Sequence, residues 1–103
     1  QGAKLLMPAY WIAHVTVTDP DRYAHYRAAT PAAIARFGGR FLARGGEADV
    51  LEGPALDRHV LIAFPDIAAA RACYASPEYQ AAKANRDGAC MAHVVIVDGA
   101  PDA

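Results

Sequence analysis

The stretch YWIAHVTVT, residues 10–18, decides the fold. Its β-branched and aromatic content marks a strand, and side chains alternate between the two faces of a strand. One face carries Tyr10, Ile12, His14, Thr16 and Thr18; the other carries Trp11, Ala13, Val15 and Val17. Neither face is plainly polar. A small protein covers one face of a sheet with its own helices, so the second face needs another partner.

Two further stretches pose the same problem. HVLIAFPD, from His59, and CMAHVVIVDG, from Cys90, are strand-like runs without a polar side apart from His93. Directly after YWIAHVTVT, Asp19 and Pro20 open a helix as N-cap and first-turn residue. Tyr23, Tyr26, Thr30, Ile34 and Phe37 recur at helical steps on it. Pro31 is expected to kink this helix or to restart it with Thr30 as a new cap, and Gly38-Gly39 ends it. RFLAR, then Gly45-Gly46, then a second short strand ending at Gly53 reads as a hairpin. Asp66 and Ser76 each cap a further helix, the second running to Gly88.

The order β-α-β-(β)-β-α-α-β fits an α+β, ferredoxin-like split βαβ plan with an antiparallel sheet and both helical regions on one side. Antiparallel sheets of this kind leave the far side polar. Here the far side is apolar over three strands, more than a monomer ordinarily exposes. The simplest cover is a second copy. The expectation is a homodimer through sheet-to-sheet packing, a dimeric α/β barrel.

Length allows one domain. Residues 1–7 pattern with nothing that follows and are expected to be leftover sequence foreign to the fold; the domain is set at 8–99 and a loose tail at 100–103. Ten Lys plus Arg balance eleven Asp plus Glu, net −1 and without a basic stripe, which argues against a nucleic-acid partner. No apolar run approaches membrane-spanning length, so no membrane partner is expected. Cys73 and Cys90 form no C-x-x-C and read as two thiols of a cytoplasmic protein rather than a disulfide.

The segments GGRFLARGG, VLEG, VLIAFPD, ARACYASPEYQAAKANR and VVIVDG, with the opening YWIAHVTVTDPDRYAHY, resemble the family known as domain of unknown function 1330. The paired glycines around an arginine and SPEYQ are the specific parts. The resemblance runs from about Pro8 to Gly99. It implies the dimeric α/β-barrel superfamily, in which two ferredoxin-like protomers pack sheet against sheet. That superfamily spans cofactor-free monooxygenases, haem-handling proteins, muconolactone isomerases and stress-responsive dimers, so it constrains chemistry weakly.

The site residues follow from the elements. His14 and His93 fall on strands that this plan sets side by side, and His59 opens the third strand. With neither H-x-H nor H-x-x-x-H spacing and no carboxylate on those strands, no metal site is assigned. Interface histidines are the simpler reading. His14 is nonetheless the candidate general base, with Tyr26 beside it as the second catalytic residue, provided both lie on the helix side; otherwise Trp11 takes that place. Tyr23, Tyr26 and Tyr79 pack the core or line a pocket between helices and sheet. Arg40 and Arg44, four apart, are expected on one side of RFLAR. Arg44 pairs with Glu52 across the hairpin, or joins Arg86 in clamping an anion. The ligand-binding set is Arg44, Arg86, Tyr23, Tyr79 and Glu52. Hydrolase, kinase and dehydrogenase motifs are missing. The reading is a small dimeric protein that binds or transforms an apolar or aromatic metabolite without metal or organic cofactor; its alternative is a non-catalytic dimerisation or stress-associated protein with a filled core. Whether it is an enzyme stays open at this point.

Overall fold

The computed structural model describes residues 7–54 and 56–101. The expected leftover segment lies outside the described residues except for Met7, and the expected tail except for Ala100 and Pro101. Elements run β1 (Ala9–Val17), α1 (Pro20–Arg36), β2 (Arg40–Arg44), β3 (Arg58–Phe64), α2 (Ile67–Ala75), α3 (Pro77–Ala84) and β4 (Cys90–Asp98). They build one antiparallel sheet in the order β2-β3-β1-β4. This is the split βαβ arrangement expected from the sequence.

Helix starts are set locally. The Asp19 carboxylate accepts from the Arg22 amide at 3.2 Å, Asp66 from Ala69 at 2.8 Å, and the Ser76 hydroxyl from Tyr79 at 3.1 Å. Each satisfies one of the donors that a helix N-terminus leaves free. Gly39 follows α1 where a Cβ would sit 2.7 Å from both Ile34 and Phe64, so only glycine lets the chain turn into β2 there.

Three expectations need correction. α1 is one helix through Pro31, with no restart at Thr30. Residues 47–53 form no strand; β2 instead pairs directly with β3, Arg40 opposite Ala63 and Arg44 opposite Val60. The register slips between Phe41 and Ala43, a bulge with one extra residue in β2. Opposed residues share a face, so Arg40 points to the open side with Ala63 while Arg44 points to the helix side with Val60. Arg40 and Arg44 are therefore parted, against the spacing argument.

The core lies between the sheet and the helices. Trp11, Ala13 and Val15 from β1 and Ile62 and Phe64 from β3 meet Tyr23, Ile34, Ala70, Cys73 and Tyr79 from the helices. An ion pair between Arg36 and Glu78 joins α1 to α3 at the surface. Both cysteines are free thiols. Burial, with a smaller push from Glu78, raises the Cys73 thiol to about 11. The folded protein thus holds this proton more tightly than the unfolded chain does, so the stability it contributes is whole below about pH 9 and is lost as pH rises toward 11. Urea unfolding at pH 8 and pH 10.5 should show about 2 kcal/mol of such loss that Cys73→Ala removes. Equal pH slopes in the two proteins would contradict it.

Candidate functional site

The inner side of the sheet holds a cavity of about 30 Å³ beneath α1. That is room for one or two water-sized groups. Its polar lining is unusual for a core: Tyr23, Tyr26, Arg27, Thr30, Arg44, Arg58 and Arg86, with no carboxylate or imidazole among the lining residues.

Each side chain arrives for a local reason. Tyr23, Tyr26 and Thr30 lie on the inward stripe of α1 at helical spacing, and the exposed Arg27 borders the cavity at its rim. Pro31 has no amide hydrogen, so the carbonyl four residues back, that of Arg27, lacks its usual backbone donor and accepts weakly, at 3.4 Å, from the Thr30 hydroxyl. The Arg44 Nη2 donates to this carbonyl at 2.8 Å, and its guanidinium lies 4.4 Å from the Phe41 ring centre. Pro31 and the β2 bulge together place Arg44 in the cavity. Arg58, the first residue of β3, shares the inner face with Val60, Ile62 and Phe64. Its guanidinium fills the space above Gly45, where a Cβ would come within 2.0 Å of Nη1. The Arg58 Nε is buried with no hydrogen-bond partner among the described residues. An orphaned buried donor of this kind costs about 1–3 kcal/mol.

Arg86 comes from the turn after α3 and lies over the Tyr26 ring, 5.1 Å from its centre. The Tyr26 and Tyr79 hydroxyls are hydrogen-bonded at 2.7 Å. Desolvation first, then the Tyr79 phenol, raises Tyr26 far above the ordinary phenol range, which keeps it a neutral donor. Desolvation opposes the Arg86 charge, but hydrogen bonding to the hydroxyl oxygens of Tyr79 and then Tyr26 outweighs it and holds that guanidinium protonated. Arg44 is lowered from its ordinary value by burial, then by its neighbours Arg27 and Arg58. The cavity is thus a cluster of donors short of an acceptor.

Of the residues expected in a site, Tyr23, Tyr26, Arg44 and Arg86 converge on this cavity, and Tyr79 backs Tyr26. His14 does not. It is on the opposite side of the sheet from Tyr26, because Trp11, Ala13 and Val15 turn inward and place His14 outward. The pairing of His14 with Tyr26 as a catalytic couple therefore fails, and Trp11 occupies the core side of β1. Glu52 is also on the open side, in the irregular segment after β2, and makes no pair with Arg44. Sequence reasoning missed Arg27 and Arg58, although helical spacing from Tyr23 and strand alternation from Ile62 both point to them.

On the open face, His59, His14 and His93 stand side by side on β3, β1 and β4. The His14 and His59 Nδ1 atoms are 2.8 Å apart, so one ring donates to the other. Among the described residues no group of three or more His, Cys, Asp or Glu is placed to hold a metal ion, and no helix is long and apolar enough to cross a membrane.

Solved structures share this fold. A protein of unknown function from Rhodopseudomonas palustris superposes with a TM-score of 0.76 at 19% identity, covering 91% of this chain and 83% of that one. SnoaB from Streptomyces nogalater, a cofactor-independent oxygenase, gives 0.61 at 18% identity, covering 91% and 94%. A dimeric ferredoxin-like protein of unknown function from Thermobifida fusca gives 0.58 at 17% identity, covering 96% and 97%. At these identities the likeness concerns the fold alone. No curated protein matches the sequence. The profile that does match runs over residues 8–100, nearly the whole domain, and by it the chain belongs to the family described as domain of unknown function 1330.

Proposed function

We propose that the protein is a homodimeric binder of a small metabolite, whose anionic head group, a carboxylate or enolate, enters the cavity beneath α1. The observation that carries this reading is the set of four guanidiniums, one with an orphaned buried N–H, around a space lined by no carboxylate. Planar guanidinium forks match the two oxygens of a carboxylate. The neutral Tyr26 hydroxyl adds a further donor, and Phe41 and Trp11 supply apolar wall for the rest of the ligand. Proton abstraction needs a base in reach, and none lines this cavity, so binding and polarisation of an oxyanion suit it better than deprotonation. The dimer is supported by the apolar open face and by the dimeric state of the Thermobifida fusca protein.

Differential scanning fluorimetry with benzoate, cinnamate and succinate, each against its neutral amide, tests the reading. A carboxylate at about 100 times its dissociation constant stabilises by about 2.7 kcal/mol. The amides should give little. Arg86→Leu should remove most of the carboxylate effect and leave the protein folded. Equal responses to acids and amides, or a response unchanged in Arg86→Leu, would defeat the proposal.

A further inference from the structure

Residues 46–54 leave the sheet as an arm. The Gly45 amide donates to the His59 carbonyl at 2.9 Å at one end, and the Asp57 amide donates to the Val15 carbonyl at 3.1 Å at the other. Between these ties, residues 46–54 make no backbone hydrogen bond among the described residues. The arm nevertheless carries large apolar side chains outward: Leu51 is 89% exposed and Val50 41%. A groove of about 790 Å³ separates it from the open sheet face, with His14, His59, His93 and Met91 on the sheet side and Asp49 and Glu52 on the arm side.

We infer that this arm is a clasp, seated in the dimer against the open sheet face of the second copy. The inference rests on the sheet-to-sheet dimer proposed above. Three observations favour a second copy as the occupant. First, reach: five residues out and back extend about 16 Å, more than the roughly 10 Å between packed sheets. Second, self-complementarity: a two-fold interface pairs one patch with itself, and this patch carries its own imidazoles and carboxylates, so the arm acids of one copy can meet the histidine row of the other. Third, apolar match: Leu51 and Val50 find Met91 and Val95, 59% and 52% exposed, on the face they would meet.

Sedimentation velocity on a dilution series tests the clasp with Leu51→Asp beside Val95→Glu. Leu51 touches so little of its own chain that its substitution leaves the fold intact, which circular dichroism checks. The clasp predicts a dimer weakened about tenfold or more by Leu51→Asp, with carboxylate stabilisation of the inner cavity unchanged. If Leu51→Asp dimerises as tightly as the unmodified chain while Val95→Glu does not, the clasp is wrong and the sheet-to-sheet dimer stands. A melting temperature lowered equally at every concentration by Leu51→Asp would mean that the arm closes on its own chain, which also overturns the clasp. An unmodified chain that is monomeric throughout removes the clasp together with the dimer.

Discussion

Val95→Glu should convert the protein from dimer to monomer across the micromolar range while leaving the protomer folded. The two halves of that expectation come from one register. Val95 pairs with Ile12 on the open side of the sheet, and in the single chain it is 52% exposed. A glutamate there reaches water in the monomer, so the fold loses little. In the proposed sheet-to-sheet dimer the same carboxylate would face apolar side chains of the other sheet. An uncompensated buried charge costs about 3–5 kcal/mol, and 1.4 kcal/mol is a factor of ten. The dissociation constant should rise by about a hundred- to several-thousand-fold for each buried glutamate, and two-fold symmetry buries two of them, so the single-copy figure is the lower bound. Ile12→Glu, its neighbour across the strand pair, should do the same with a greater loss of protomer stability, since Ile12 is already half-buried. Light scattering over a dilution series reads the effect. A Val95→Glu protein that stays dimeric with unaltered affinity would move the interface off this face.

That experiment tests the feature that was easiest to read in the sequence. Two apolar faces on three strands require two covers, and alternation is a purely local signal. The helix caps at Asp19, Asp66 and Ser76 are equally local, and all three form as expected. What alternation does not say is which face turns inward. His14 was weighed on both sides of the sheet. The composition of the two faces held the answer: Trp11, Ala13, Val15 and Val17 include no hydrogen-bonding group beyond the indole N–H, whereas His14 keeps company with Thr16 and Thr18. The helices cover the face that has least to lose from dehydration.

The cavity was legible in part, and the illegible part has a physical cause. Tyr26, Arg44 and Arg86 were placed together from helix spacing and the residue types. The devices that aim Arg44 are not visible locally. A spacing of four within RFLAR puts Arg40 and Arg44 on one side of a regular strand; the bulge that separates them depends on the pairing with β3, residues away in sequence. The strand expected after Gly46 failed for the same reason. EADVLEG has tolerable strand character, but a strand needs a neighbour, and β3 had already given that edge to β2. Pro31 is expected from the sequence to kink α1 or restart it, and α1 runs on through it without a restart. Its larger effect is to free the Arg27 carbonyl for the Arg44 guanidinium, a consequence that appears only once the two are in contact.

Trp11→Ala should be the most damaging single truncation. Trp11 is 2% exposed. Its ring stacks on Phe64 at 6.0 Å between centres, tilts against Tyr74 at 5.7 Å and meets Tyr79 edge-on at 4.9 Å. It also walls the cavity beneath α1. Removing a buried Trp typically costs about 3–5 kcal/mol, the lost transfer energy plus the cavity left behind. Domains of this size hold only about 5–15 kcal/mol in total. For a chain of this length each kcal/mol moves the midpoint by about 4–8 °C, so the melting temperature should fall by roughly 12–40 °C at fixed protein concentration. Trp11→Phe should recover part of that loss, because a ring still meets Tyr79 and Phe64. The space left by the indole is walled by the rings of Phe64, Tyr74 and Tyr79, beside the arginine-lined cavity it adjoins, and apolar pockets of that kind take up apolar guests. Indole should therefore raise the melting temperature of Trp11→Ala and leave the unmodified protein unchanged. A loss under about 1 kcal/mol would show that the aromatic cluster can close over the gap, and Trp11 would not be the keystone its contacts imply.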